Sequence, residues 1–364
     1  MLEIRHNGRA YMMWESATFS RSLDTNCGQF SFVSSNPFNQ TYPLRIGDRV
    51  QCIVNGRSVI SGFIDKIVAS GDVNGHRLTV AGRDKVSDLI DSSVPDSVKT
   101  VSGPISLKSL AERLIAALGA SIKVIDDTGG IEPLGEGDLQ AATSGQRCMD
   151  FLVSFARKRQ VYLITNGDGN LVIFKPRGQK LGTPLIHRQE NPVNNVKTAG
   201  LDVDISGRYA NYTVRSQNNF ASDPFAGYDS ESVAVTGTST DTEIRASRYL
   251  EIQAEESMNA AECEDRADEE SNLRRAKGLL YNATLVGDAQ QDGSPWNIGY
   301  LVDVFDDYNG ARGELLMFAI STSVDLGQGS ETTVSCSPAD AYRAVKKSRR
   351  TRRKSKQDPF SDFL

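Results

Sequence analysis

Histidine and tryptophan are scarce in this chain, with 3 and 2 among 364 residues. His6, His76 and His187 form no H-x-x-x-H pair, so the helical zinc-hydrolase arrangement is absent. The five cysteines (Cys27, Cys52, Cys148, Cys263, Cys336) are odd in number, far apart and without a C-x-x-C. That spacing supports neither a disulfide framework nor a structural zinc site, and buried thiols in a reducing compartment are expected. No G-x-S-x-G, no P-loop and no G-x-G-x-x-G after a strand occurs. The sequence therefore implies no metal, no cofactor and no catalytic motif. Long apolar runs are missing too. The strongest, Leu315-Leu316-Met317-Phe318-Ala319-Ile320, is far short of the ~20 residues of a membrane span, so no stable membrane insertion is expected. The first residues, Met1-Leu2-Glu3-Ile4-Arg5-His6-Asn7, show no apolar core of a secretory signal.

What is present points to a folded, strand-rich chain. Hydrophobic residues make up 39% and charged residues 24%, which excludes a disordered polymer. Thirty-one glycines and 12 prolines call for many turns. The fold class read from these patterns is α+β and strand-rich: two related small β-barrels with an inserted α+β domain and a helical region. Residues 1–95 form the first barrel, with Arg49 to Val54 alternating before the turn pair Asn55-Gly56 and a short helix near 86–90. Residues 96–185 form the inserted domain. A helix there carries Leu107, Leu110, Leu114 and Leu118 and stops at Gly119, with Ser109 and Glu112 as a capping pair. A second helix spans about 147–159, followed by a hairpin whose turn is Asn166-Gly167-Asp168-Gly169-Asn170. That turn lacks the ligand spacing of a calcium loop. Residues 186–240 are strands and loops linking to or completing the second barrel.

Residues 241–277 are an acidic helical region; 241–270 holds 11 acidic residues and three basic ones. Asn259 with Glu262 caps its helix, Glu262/Arg266 and Glu270/Arg274 stand in favourable order, and Met258, Ala261, Ala267 and Leu273 form a thin apolar face. Residues 278–342 form the second barrel, and 343–364 a basic tail.

The two strand-rich ends echo each other. Ile46-Gly47-Asp48-Arg49-Val50, Asn55-Gly56, Gly62 and Thr79-Val80 are matched in order by Ile298-Gly299-Tyr300-Leu301-Val302, Asn309-Gly310, Gly313 and Thr333-Val334, with Asp84 and Asp340 following. Such a series implies duplication. Two copies of one module per chain, assembled three-fold, give six similar units, a natural adaptor between six-fold and three-fold partners.

The tail stands apart chemically. Residues 343–356 carry nine basic residues and no acidic one, and setting them aside leaves 32 basic against 46 acidic, a charge of −14 in place of −5. Arg349, Arg350, Arg352, Arg353 and Lys354, with Phe360 and Phe363 beyond them, are the candidate partner contacts: a solvated tail, a docking arm for an acidic protein, or a phosphate contact.

In the segments 46–84, 201–217 and 266–340 the chain resembles the baseplate hub proteins of Mu-like contractile-tailed phages, a family related to the T-even tail hub and to the hub part of type VI secretion spike proteins. The matching residues include Gly207-Arg208-Tyr209-Ala210-Asn211-Tyr212-Thr213-Val214, Arg266-Ala267, Trp296-Asn297-Ile298-Gly299, Leu315-Leu316 and Ser337-Pro338-Ala339-Asp340-Ala341-Tyr342. The resemblance implies a non-enzymatic homotrimer in the virion baseplate, made in the host cytoplasm. Its pseudo-six-fold ring would join the tail tube protein to the central spike protein, next to other baseplate or tape measure proteins. DNA would pass through its channel without sequence-specific binding, and an acidic lining would limit sticking. The competing readings are a tail-associated cell-wall hydrolase using carboxylates of 255–270, and a nucleic-acid-binding protein acting through the basic tail.

Overall fold

The structure is a computed structural model; it describes residues 2–11, 13–36, 43–72, 75–133, 139–159, 161–176, 178–189, 193–217, 234–254 and 258–339. Alternating residues between tight turns build seven strands first: β1 (Leu2–His6), β2 (Arg9–Tyr11), β3 (Trp14–Ser22), β4 (Gln29–Asn36), β5 (Arg49–Val54), β6 (Arg57–Asp72) and β7 (Gly75–Asp84). An α/β segment follows, with α1 (Ser87–Asp91), β8 (Thr100–Ser102), α2 (Leu107–Leu118), β9 (Val124–Asp127), β10 (Leu139–Ala141), α3 (Cys148–Lys158), β11 (Tyr162–Thr165) and β12 (Leu171–Phe174). The chain continues through β13 (Leu185–His187), β14 (Val196–Val203), β15 (Asn211–Gln217), β16 (Ala234–Thr240), β17 (Tyr249–Gln253) and α4 (Ala260–Lys277). It then returns to long strands in β18 (Leu279–Val286), β19 (Leu301–Asp306), β20 (Arg312–Asp325) and β21 (Gly329–Pro338).

The strand-rich α+β expectation is met, with few helices and several sheets, but the pairing does not close two barrels. One sheet runs β14-β18-β21-β20-β3-β4-β7-β6-β5-β1-β2, with β19 and β13 branching from β20. Its two halves curl over separate cores. Ile4, Phe30, Phe32, Ile60, Ile64 and Val80 fill the first lobe; Tyr281, Leu285, Trp296, Val302, Leu316 and Val334 fill the second. Neither half closes because β3 spends its outer edge on the other lobe, pairing antiparallel with β20 from Ser22 opposite Ala319 to Ser16 opposite Asp325.

The echo is structural, and it extends further than the sequence showed. Gly47 and Gly299 both have φ near +85° (85° and 84°), and their N–H groups donate to Ile64 O and Met317 O, each at 2.8 Å. The β6–β7 ladder bulges between Ile64 and Lys66, and the β20–β21 ladder between Met317 and Ala319. A second shared bulge lies between Trp14 and Ser16 in β3 and between Val196 and Thr198 in β14. So β3, β4, β5, β6 and β7 correspond to β14, β18, β19, β20 and β21. Asp340 lies outside the described residues.

Side-chain caps start α2 and α4. α2 begins one turn before the expected Ser109/Glu112 cap, because Ser106 accepts from Ser109 N–H (3.0 Å), and it ends at Gly119 in the left-handed region. α2 and α3 bury Leu110, Leu114, Phe151 and Phe155 in a core shared with β9, β11 and β12. α4 carries the expected capping box of Asn259 and Glu262. Because Glu262 is engaged there, Arg266 pairs with Glu269 and Glu270 instead; Glu270 also accepts from Arg274 at 2.7 Å. The buried stripe is Cys263, Ala267 and Ser271, at spacing four, with Ala276 beyond it; Ala261 is exposed. Small side chains suit a helix held close to β15 and β16, where Tyr212 and Val214 complete a small fourth core.

Candidate assembly interface

Strand ladders set which residues share a face, since directly opposed residues point the same way. On the core side, Ile67, Val80, Phe32, Ala17 and Val324 form one row across β6, β7, β4, β3 and β20. On the other side a parallel row reads Gln29, Ser20, Ser321, Thr333, Thr284 and Thr198 across β4, β3, β20, β21, β18 and β14. Neighbouring rows add Ala81, Ser31, Thr18 and Ser323, then Ala319, Ser335, Asn282 and Gly200. Ser335 donates to Asn282 at 2.6 Å, and the Thr284 and Thr333 hydroxyls lie 3.4 Å apart. The solvated face spanning both lobes is thus small and hydroxyl-rich. Its charges are largely paired: Arg83 with Asp65 and Asp91, and Glu331 with Lys197. Sequence reading missed this face because alternation reveals a strand but not the strand laid beside it.

Buried polar groups fix the lobes to their neighbours. Asp84, at the end of β7 and 1% exposed, accepts from Gly28 N–H (2.5 Å) and Val86 N–H (3.0 Å). Burial pushes its carboxyl up to about 6, against the opposing pull of Thr165, Gly28, Val86 and the Arg21 guanidinium. Asp306, fully buried, accepts from the Tyr281 hydroxyl (3.0 Å), the Asn309 amide (2.8 Å) and the Tyr308 and Asn309 backbone N–H groups. His187 Nδ1 lies 3.2 Å from it. The expected hairpin turn is present: Asn166 Oδ1 accepts from Asp168 and Asn170 N–H, and Ser58 of β6 donates to Gly167 O at 2.7 Å, tying the α/β segment to the first lobe.

The sequence-derived partner contacts Arg349, Arg350, Arg352, Arg353, Lys354, Phe360 and Phe363 all lie outside the described residues. The hydrolase carboxylates are not gathered into a cleft: Glu262 serves the cap and Glu270 is held by two arginines, while 255–257 lie outside the described residues. Trp296 is buried, and Asp303 pairs with Lys180 at 2.7 Å, so no sugar platform forms. Among the described residues no group of acidic, histidine and cysteine side chains is arranged to hold a metal, and no helix is long and apolar enough to cross a membrane. All five cysteines are buried and free.

Comparison with known proteins identifies the architecture. The model of the N-terminal domain of Mu phage GpP-like baseplate assembly proteins matches residues 1–84. That of the second domain of gp44-like baseplate hub proteins matches residues 86–175. The baseplate hub protein gp44 of Escherichia phage Mu is 26% identical over 360 residues, covering 96% of this chain and 91% of the relative. The 43 kDa tail protein of prophage MuSo2 from Shewanella oneidensis superposes with a TM-score of 0.80 at 28% identity, covering 93% of this chain and 98% of that one. A tail protein from Neisseria meningitidis MC58 shares the fold with a TM-score of 0.76 at 19% identity, over 93% and 98% of the two chains. Two lobes on one sheet with an α/β insertion is therefore a phage tail-protein architecture. Over nearly its whole length the chain is similar to baseplate hub and tail proteins of Mu-like phages.

Proposed function

We propose that three copies of this chain form a pseudo-six-fold ring that adapts a six-fold tail tube to a three-fold central spike and surrounds the DNA path. The observation that carries this reading is the duplicated lobe: one chain supplies two like modules, already joined edge to edge through β3 and β20. Three such chains offer a six-fold partner six similar surfaces and a three-fold partner three identical ones. The role is architectural and non-enzymatic, as the baseplate hub relative's name suggests.

In such a ring the hydroxyl-rich face of the sheet is the surface best suited to line the channel. This reading differs from the acidic lining expected above; of the acidic run, Glu262, Glu264, Asp265, Asp268, Glu269 and Glu270 sit on α4, which packs on the separate β15–β17 sheet. A wall of short neutral hydroxyls offers phosphates few charged partners and leaves DNA free to slide. The basic tail, through Arg349, Arg350, Arg352, Arg353, Lys354, Phe360 and Phe363, serves as a docking arm for an acidic neighbour in the baseplate.

Native mass measurement with negative-stain imaging of the full chain, alone and with its tube and spike proteins, tests the ring. A trimer with six lobes is the expected result; a chain that stays monomeric in all three mixtures overturns the proposal. Removing residues 343–364 is expected to leave the ring intact and to release the partner held by the arm.

A further inference from the structure

Two long strand edges have no strand beside them among the described residues: β6 beyond its bulge, residues 66–72, and the outer side of β14. Val68 is 45% exposed, and Ala69, Ser70, Thr198, Gly200 and Asp202 are exposed as well. No proline interrupts either stretch, and apart from Ala199 O, which accepts from the Asn309 amide at 3.3 Å, both edges present backbone donors and acceptors with no strand beside them, the condition that invites another strand.

The junction inside the chain says which strand. β3 pairs with β20, and β14 is the counterpart of β3 while β6 is the counterpart of β20. We infer that β14 of one chain pairs antiparallel with β6 of a second copy, repeating between chains the β3–β20 junction within each. The inference rests on the ring reading and names the strands that close it.

Its register follows from the shared bulges. Lys66 and Ala319 are the first residues after theirs, 253 apart, and Ser16 and Thr198 after theirs, 182 apart. Shifting the observed pairs by these offsets turns Ser22 opposite Ala319 into Asp204 opposite Lys66, and Ser16 opposite Asp325 into Thr198 opposite Asp72.

Nothing in that shift uses side-chain chemistry, yet the faces match. Ile67 meets Val203, Ala69 meets Leu201 and Gly71 meets Ala199 on the core side; Lys66 meets Asp204, Val68 meets Asp202 and Ser70 meets Gly200 on the solvated side. A slip of one residue would set apolar positions against the solvated face. Each chain has one edge of each kind, so copies join head to tail, and they close into a trimer when each junction turns the next copy by a third of a circle.

Cysteine pairs test the register in the full chain. The native thiols are buried, with Cys27 pushed up to about 11 and Cys52 to about 12 by burial, so their background reactivity is low. Oxidised Val68→Cys/Asp202→Cys protein is expected to run as covalent dimers and trimers on denaturing gels. Ser20→Cys/Ser321→Cys, the matching pair inside one chain, is expected to stay at monomer mass. Lys66→Glu is expected to weaken the trimer roughly fivefold per interface, with recovery on adding Asp204→Lys.

A trimer by native mass whose 68/202 pair does not link overturns this inference and leaves the ring standing. Preferential linking of 68 with 200 or 204, or of either edge to a tube or spike protein, overturns it as well. A chain monomeric with every partner overturns both readings.

Discussion

Each lobe buries one aspartate at the end of a strand, Asp84 in the first and Asp306 in the second, with relative exposures of 1% and 0%. Burial disfavours both carboxylates, but their partners differ. Asp84 is met by two backbone N–H groups and Thr165, beside an Arg21 whose own charge is weakened by burial, and desolvation wins. Asp306 also starts from a burial penalty, yet donation from Asn309 and Tyr281, with His187 Nδ1 3.2 Å away, outweighs it and holds the carboxyl below the usual range. Two carboxylates with almost no exposed surface thus shift in opposite directions: Asp84 lies deeper and carries the larger burial penalty, while more donors converge on Asp306. The structural counterpart of Asp84 in the second lobe is Pro338, so these are two separate solutions.

The largest effect is expected at the better-satisfied site. Asp306→Ala leaves Tyr281, Asn309 and the loop N–H groups without their shared acceptor, and about 4 kcal/mol of stability should be lost in denaturant titrations. Hydrogen exchange should accelerate in β18, β19 and β20 before β5 and β7. Equal acceleration in both lobes would show that the single sheet unfolds as one unit and would dissolve the contrast.

Packing gives a second comparison. Gly82 of the first lobe corresponds to Cys336 of the second, through pairing with Phe30 and Tyr281 respectively. A Cβ on Gly82 would lie 2.0 Å from Phe63 O and 2.6 Å from the Phe30 ring, so Gly82→Ala should cost about 3 kcal/mol. Cys336→Ala only removes a buried sulfur and should cost about 1 kcal/mol. Melting of the two single variants decides whether the lobes differ in this way.

The carboxylates also make a signed pH prediction. A raised folded value means the native state holds its proton more tightly than the unfolded chain. Stability from Asp84 is therefore full below about pH 4 and is lost as pH rises through about 6, by on the order of 2–3 kcal/mol. Asp84→Asn should flatten that part of the stability–pH curve. Asp306 has the opposite sign: its contribution is present at neutral pH and is lost as pH falls below the ordinary carboxylate range. A curve unchanged by Asp84→Asn would mean the carboxyl is not held neutral in the fold.

How much of this was legible in the residues depended on whether the signal was local. Ser106, Gly119, Asn259 and Glu262 announce helix ends because a cap is decided within one turn, although the competing Ser109 shows that such signals can sit three residues off. The repeat was readable only from Gly47 and Gly299 onward, where hairpins keep counterparts in step. Its other half escaped because β3 and β4 are joined by a short loop, whereas their counterparts β14 and β18 are split by β15–β17 and α4. The β3–β20 junction left no local trace at all, since it joins residues about 300 positions apart. Closed barrels were the natural expectation for each end considered alone; an edge spent on the other lobe prevents them.

The smallest expected difference lies in the hairpin turns that first revealed the echo. In the first lobe Asn55 and Gly56, with φ of 49° and 78°, make a two-residue turn that demands a left-handed backbone at both positions. In the second lobe five residues separate β19 from β20, and the Asn309 amide reaches Asp306 at 2.8 Å and Ala199 O at 3.3 Å. Asn55→Ala should therefore cost about 1 kcal/mol through its left-handed backbone, and Asn55→Gly only a few tenths. Asn309→Gly removes both amide hydrogen bonds and should exceed Asn55→Gly. If the two glycine variants melt together, the second turn is held by its length alone and the Asp306 clamp adds nothing to it.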